Sequence, residues 1–487
     1  MTNKTKLVRA GVTGVTGIVS AGAVALGIVA LVTLPIPGYV GTPPALSIAP
    51  VPAVQQRVCP GPLVDVLSQG TADITFISNG QPEYAQASSE DNFDNSWLNA
   101  PDNQSGVVYG APQVISVPPA ASAEQAPLLA GNQEQLLATE SLSGLAAAAC
   151  TEPANDLWLV GGSTEVGRTT LVMLANPTDV TATVTLEVFT ENGYVEAANS
   201  DGIIVEPGEQ RIVSLAGYAP DVYSPVVRVM SNGGQVLASL QQSVTRTLVP
   251  SGVEWVVPGA GLATQQIITG VFVTGQADHE RSEIGDVISD LDPGIRVVAP
   301  GDKDSKVTVT LLSSTGEKTE YSAQLKAKKA VQLPLTGIED GTYTVIVTSE
   351  QPIAAGVRTV QDSLTDATAA PGTPITGGDF AWMSSSSFLT DDILIPIPQG
   401  TAPTVTFYNP GRDTAEVTLS AQGQKDIVLS VKKGEMVTSP LMAATNYTLT
   451  GATGLLGGLS FSGPGLGSAI ALNPANVLGS PITVYPR

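Results

Sequence analysis

The chain predicts a mainly β protein, with tandem sandwich modules behind one N-terminal transmembrane helix. Three observations predict it. The stretch from Leu171 to Val188, LVMLANPTDVTATVTLEV, reads as two strands around a tight turn. It returns twice, as IRVVAPGDKDSKVTVTL from Ile295 and as TVTFYNPGRDTAEVTLS from Thr404. An uncharged run from Ala10 to Leu34 precedes them all.

The strands follow from periodicity. Ala182, Val184, Leu186 and Val188 alternate with Thr181, Thr183, Thr185 and Glu187. A period of two puts one face on a core and the other in water. The turns that launch these strands are Asn176-Pro177, Ala299-Pro300 and Asn409-Pro410. Seven and nine residues past each proline stand Val184 and Leu186, Val307 and Val309, and Val417 and Leu419. One register through three turns marks an internal repeat. A middle strand follows each time, from Ile203, Ala323 and Ile427, and then a closing hairpin from Val226, Tyr343 and Tyr447. Trp158, Trp255 and Trp382 are each expected to open a unit. Units of roughly 100 residues with short alternating strands suit immunoglobulin-like β-sandwiches. They are placed at 151–250, 251–365 and 366–487.

The run WLVGGSTEVGRTTLVMLANP, after Cys150 and leading into the first strand pair, resembles a family of actinobacterial envelope proteins of unknown function. Such proteins carry one N-terminal hydrophobic segment and a β-rich exported region, and are often encoded beside a family-2 glycosyltransferase. The resemblance covers most of the chain after Cys150. It implies an exported, membrane-anchored protein with a polytopic glycosyltransferase as partner. Its motifs (Trp, Gly-Gly, Asn-Pro) are structural, so no catalytic residue is carried over.

The N-terminal elements follow from length and charge. Residues 1–9 are polar and basic and read as a cytoplasmic tail. Residues 10–34 are long enough to span a bilayer as a signal-anchor helix, with the basic side inside. A cleaved signal peptide is the alternative; its apolar core is usually shorter. Gly17, Ala21 and Ala25 share one face of that helix. Small residues there admit a second transmembrane helix, although Gly and Ala are common in such anchors anyway. Residues 35–56 form a Pro-rich linker that stays extended.

Cys59 and Cys150 are the only cysteines. In an exported protein two cysteines form one disulfide, here closing a β region over 57–150. A metal pair or a reactive thiol are the alternatives. Strands are expected near 62–66, 107–117 and 136–149, packed on the first repeat.

Composition excludes several function classes. The formal net charge is −22, and Lys4, Lys6 and Arg9 precede the anchor, so the body is more acidic still. It should bind neither nucleic acid nor an anionic membrane surface by charge. The single histidine, His279, lies in an acidic insertion and rules out sites needing two. No Gly-x-Ser-x-Gly elbow accompanies it. Asp91, Asp94, Ser96 and Asp102 are loosely spaced like a calcium loop but lack its glycine and terminal glutamate. With 44 acidic residues, sequence spacing cannot identify a carboxylate pair. The tryptophans read as core residues rather than sugar platforms.

The expected function is therefore that of a non-enzymatic, extracytoplasmic scaffold or accessory subunit of an envelope assembly, with no cofactor. A carbohydrate-binding wall protein is the alternative; it predicts an exposed aromatic row facing cell-wall glycan. A carboxylate glycoside hydrolase is the third reading; it predicts a cleft with two acids.

Overall fold

The computed structural model describes residues 46–48, 54–68, 74–90, 93–106, 110–118, 127–197, 200–246, 248–274, 293–335, 338–361, 378–390, 392–474 and 482–484. The anchor run with Gly17, Ala21 and Ala25, most of the linker, and the insertion with His279 lie outside them. Among the described residues no helix is long and apolar enough to cross a membrane.

The chain divides into two compact units. The smaller holds Met1–Val51 and Leu478–Arg487. In it β1 (Leu46–Ile48) pairs antiparallel with the last strand, Ile482–Val484. The larger unit, Pro52–Val477, is mainly β.

Within the larger unit the N-terminal strands are β2 (Gln55–Val58), β3 (Val64–Ser68), β4 (Ile74–Ser78), β5 (Glu83–Ser88), β6 (Asp94–Trp97), β7 (Gln113–Val117), β8 (Leu129–Ala138) and β9 (Ser143–Ala149). They pair as β3-β4, β2-β7-β6 and β5-β8-β9. Cys59 and Cys150 are joined in a disulfide. The bridge closes a 91-residue separation, worth roughly 4–5 kcal/mol on loop entropy. Leu63, Val64, Phe76, Ala146 and Ala148 pack on Leu171, Met173, Ile212 and Trp255 of the next segment.

The first two-sheet segment holds β10 (Asp156–Val160), β11 (Arg168–Asn176), β12 (Ala182–Thr190), β13 (Gly193–Val195), β14 (Ile203–Val205), β15 (Glu209–Ser214), β16 (Val226–Gly233), β17 (Leu237–Arg246) and β18 (Val249–Val256). The second holds β19 (Ala263–Val273), β20 (Gly294–Val298), β21 (Ser305–Ser313), β22 (Lys318–Leu325), β23 (Ala330–Pro334), β24 (Gly341–Gln361) and β25 (Asp379–Ser384). The third holds β26 (Ile393–Pro396), β27 (Thr404–Tyr408), β28 (Ala415–Ala421), β29 (Ile427–Val431), β30 (Met436–Pro440), β31 (Asn446–Thr450), β32 (Leu456–Gly463) and β33 (Leu466–Leu472).

One pairing scheme recurs. The sheets run β10-β16-β12-β13 and β15-β11-β17-β18 in the first segment, and β26-β31-β28-β29 and β30-β27-β32-β33 in the third. In the second, β24 serves both sheets: its first half pairs with β19 and β21, its second half with β20 and β25. The apolar positions read from the register, Val184, Leu186, Val307, Val309, Val417 and Leu419, are all buried between sheets. Each such side chain contributes roughly 1.5–3 kcal/mol.

The three turns occupy one place, directly after or at the end of β11, β20 and β27. Asn176 is fully buried; its Nδ2 donates to the carbonyls of Val180 (2.8 Å) and Val205 (3.0 Å). Asn409 repeats this with Asp413 (2.8 Å) and Val431 (2.8 Å). Their Oδ1 atoms accept from the N–H of Thr178 (3.0 Å) and Gly411 (2.8 Å). Asn thus satisfies main-chain groups that the strand ladders leave over. Ala299 has no such group. Even so, its carbonyl accepts from Lys328 N (2.8 Å), as Asn176 accepts from Gly208 and Asn409 from Gly434.

The tryptophans differ from expectation. Trp255 stands on β18 and Trp382 on β25, each the closing strand of its sheet. They fasten seams. Trp382 is buried in the core of the first segment and donates Nε1–H to Gln242 Oε1 (2.6 Å). Trp158 packs on Val298, Ala330 and Ala354 of the second segment. A seam needs a large apolar surface with few polar demands, which Trp supplies at any end of a module.

Candidate functional site

Four sheet-edge strands meet at one junction. β9, β18, β25 and β33 pack in a closed circuit, β9 on β18, β18 on β25, β25 on β33 and β33 on β9. Each ends its own sheet. Two carboxylates point into the junction, Glu254 of β18 and Asp379 of β25, 0% and 1% exposed.

Main-chain donors hold them. Asp379 Oδ2 accepts from Leu145 N (2.8 Å) and Gly467 N (3.2 Å), and Oδ1 from Phe380 N (2.9 Å). Glu254 Oε1 accepts from Trp255 N (2.8 Å) and Ser468 Oγ (2.9 Å). Ser468 Oγ in turn accepts from Ala147 N (2.7 Å). Glu254 Oε2 has no hydrogen-bond partner among the described residues. Glycines make this approach feasible. A Cβ on Gly144 would lie 2.6 Å from Asp379 Oδ1, and one on Gly252 would lie 2.5 Å from the Phe380 ring. Both have positive φ, so no other residue fits without strain.

Burial raises the affinity of both acids for protons. It pushes Asp379 up to about 8, against the main-chain N–H groups that pull it down. Burial pushes Glu254 well above the usual carboxylate range, and the neighbouring Asp379 charge adds to this against the Ser468 hydrogen bond. A dry, shared site disfavours the charged forms. This is a carboxylate pair, but solvent does not reach it, so a soluble glycan substrate cannot either.

A second polar node joins the first and second segments. Arg296 of β20 is buried over the Trp382 ring, 4.6 Å from its centroid. It donates to the carbonyls of Gly162 (2.7 Å), Pro225 (3.0 Å) and Tyr223 (3.1 Å) and to Gln332 Oε1 (3.0 Å). Burial lowers its guanidinium to about 9. The N-terminal region is tied likewise. Asn132 Nδ2 donates to Pro396 O (2.7 Å), and Gln241 exchanges hydrogen bonds with the main chain of Val64 (2.8 and 2.7 Å).

Residues 108–435 match the model of a family of unknown function, DUF5719. The chain belongs to this family. Glu254, Asp379 and Arg296 fall within the DUF5719 match; Cys59 and Ser468 fall outside it. No curated protein matches the chain. Among solved structures, the crystal structure of Thermotoga maritima 1070 is similar at 17% identity over 20% of this chain and 80% of that one, with a TM-score of 0.17. An anti-sigma factor domain-containing protein from Clostridium clariflavum is similar at 10% identity over 89% of this chain and 99% of that one, with a TM-score of 0.12. Superpositions this poor carry no argument about the fold.

The junction was not among the residues singled out in the sequence. Asp102 instead pairs with Arg211 (3.1 Å) and accepts from Ile212 N (2.9 Å), clamping the N-terminal region to β15. The signal for the junction and for the second node is a lone charge inside an apolar run: Glu254 in GVEWVV and Asp379 in GGDFAWM for the one, Arg296 in GIRVVA for the other. Such a charge is costly in a core unless partners wait for it.

Proposed function

We propose that this chain is a non-enzymatic, membrane-anchored extracytoplasmic scaffold or accessory subunit of a cell-envelope assembly. In this reading residues 10–34 are the single membrane helix, residues 1–9 are cytoplasmic, and the body stands outside. The three two-sheet segments are tandem immunoglobulin-like β-sandwich repeats. The partner is a polytopic glycosyltransferase, and the role bears on glycan synthesis.

The observation that carries this reading is the junction. Four regions of chain converge on buried polar groups and closing strands, which makes a fixed multi-module body and leaves both acids buried. Rigid modules with end loops and sheet edges suit holding partners. The Cys59–Cys150 disulfide suits an oxidising compartment.

Cross-linking in native membranes, read by mass spectrometry, tests it. The expected result is a reproducible polytopic membrane-protein partner. Recovery of glycan alone favours the wall-binding reading and overturns the scaffold. Glycoside turnover abolished by Glu254→Gln overturns the non-enzymatic assignment.

A further inference from the structure

The N-terminal region opens a hollow where β5 faces β7, with a volume of about 540 Å³. That is within the usual range for small-ligand sites, roughly 300–1,000 Å³. Its chemistry is unusual for this chain. Three amide side chains line it, Gln81, Gln86 and Gln113, together with Glu83, Tyr84 and Phe93. Among the described residues neither Lys nor Arg lines it, and its apolar lining is slight.

The groups are held in place. Gln86 Nε2 donates to Gln113 Oε1, and Gln113 is buried. That bond leaves the Gln86 carbonyl oxygen and the Gln113 amino group unused by it. Tyr84 stands edge-on to Trp97, with ring centroids 5.7 Å apart. Its hydroxyl is buried and has no hydrogen-bond partner among the described residues.

We propose that this hollow binds a neutral carbohydrate. Each amide offers a donor and an acceptor side by side, matching the paired hydroxyls of a sugar ring. Phe93, half-buried, offers a small aromatic surface for the C–H face of the sugar. An anionic glycan would meet Glu83 with no cation to offset it. A peptide would call for an apolar pocket, and the apolar lining here is slight. The proposal rests on the extracytoplasmic placement above but not on the scaffold reading.

The test is calorimetric titration of the full chain in detergent. The probes are short neutral oligosaccharides of hexoses and of pentoses, matching uronate oligomers, and a neutral hydrophilic peptide. Saturable binding of a neutral oligosaccharide is expected, with uronates and peptide inert. Gln81→Ala and Gln86→Ala should each weaken it about tenfold, the loss of one or two hydrogen bonds. Gln81 is exposed, so Gln81→Ala should leave the melting temperature unchanged and decides the matter if Gln86→Ala misfolds. The proposal is overturned by no saturable neutral binding, by equal binding in Gln81→Ala, or by tighter binding of uronate or peptide. None of these outcomes alters a membrane-protein cross-link, so the two readings fail separately.

Discussion

The first and third segments differ from the second at the same turn. Asn176 and Asn409 each bind two carbonyls and a main-chain N–H, while Ala299 binds none through its side chain. At the third residue of the middle-strand turn, the first and third place Gly208 and Gly434 at φ +72° and +70°; the second places Lys328 at +60°. All three keep the same main-chain hydrogen bond across the turn. The segments also send different groups to the junction: Glu254 from the first, Asp379 from the second and Ser468 from the third. The lesson is that the main-chain path is the invariant here. Its hydrogen bonds are obligatory, whereas the side chains that support it can vary.

The largest expected effect concerns the acids. Asp379 holds its proton in the folded state up to about 8, and an unfolded aspartate loses it near 4. Folding therefore takes up protons in that window, and stability falls as pH rises through it, by at most roughly 5 kcal/mol. Urea midpoints measured at about pH 4.5 and about pH 8.5 check this. Equal midpoints would break the distinction between a titrating junction and neutral turns. Glu254→Gln should stay within about 1 kcal/mol of wild type at neutral pH and lose less on the alkaline side.

Next in size is Asn409→Ala. It strands the Val431 and Asp413 carbonyls and should cost about 2–4 kcal/mol in urea unfolding, with Asn176→Ala similar. A cost below about 0.5 kcal/mol would mean that the asparagines are ornamental and the three turns equivalent.

Backbone strain comes third. Gly434→Ala should cost about 1 kcal/mol, because the left-handed region penalises a Cβ. Lys328→Gly should gain up to about 1 kcal/mol for the same reason, less the entropy of the added glycine. Opposite signs in thermal melts sharpen the comparison; like signs refute it. The smallest effect belongs to Ala299→Asn, which should stabilise by about 1 kcal/mol if the second turn can host the same hydrogen bonds. A loss would show that this turn has closed around its methyl group.

Legibility divided along the range of the interactions. The strands around Val184, Val307 and Val417 were readable because alternation is local and one face must be buried. Cys59 and Cys150 were readable as a pair because no third cysteine competes. The tryptophans misled. A Trp announces burial but not the partner, and Trp382 is buried in the core of a segment other than its own. Glu254 was one acid among 44 until β25 brought Asp379 beside it.

The amino-acid order by itself determined the β class, the recurrent register, the turn positions and the cysteine pairing, since each rests on neighbours within a few residues or on a count. Only the tertiary structure decided which strands close the sheets, that four of them meet, and that two acids share a dry centre. Those facts depend on contacts such as Leu145 with Asp379 and Ser468 with Glu254, across 234 and 214 residues. Separations that long leave no periodic trace in a chain, because packing, not local geometry, selects the partner.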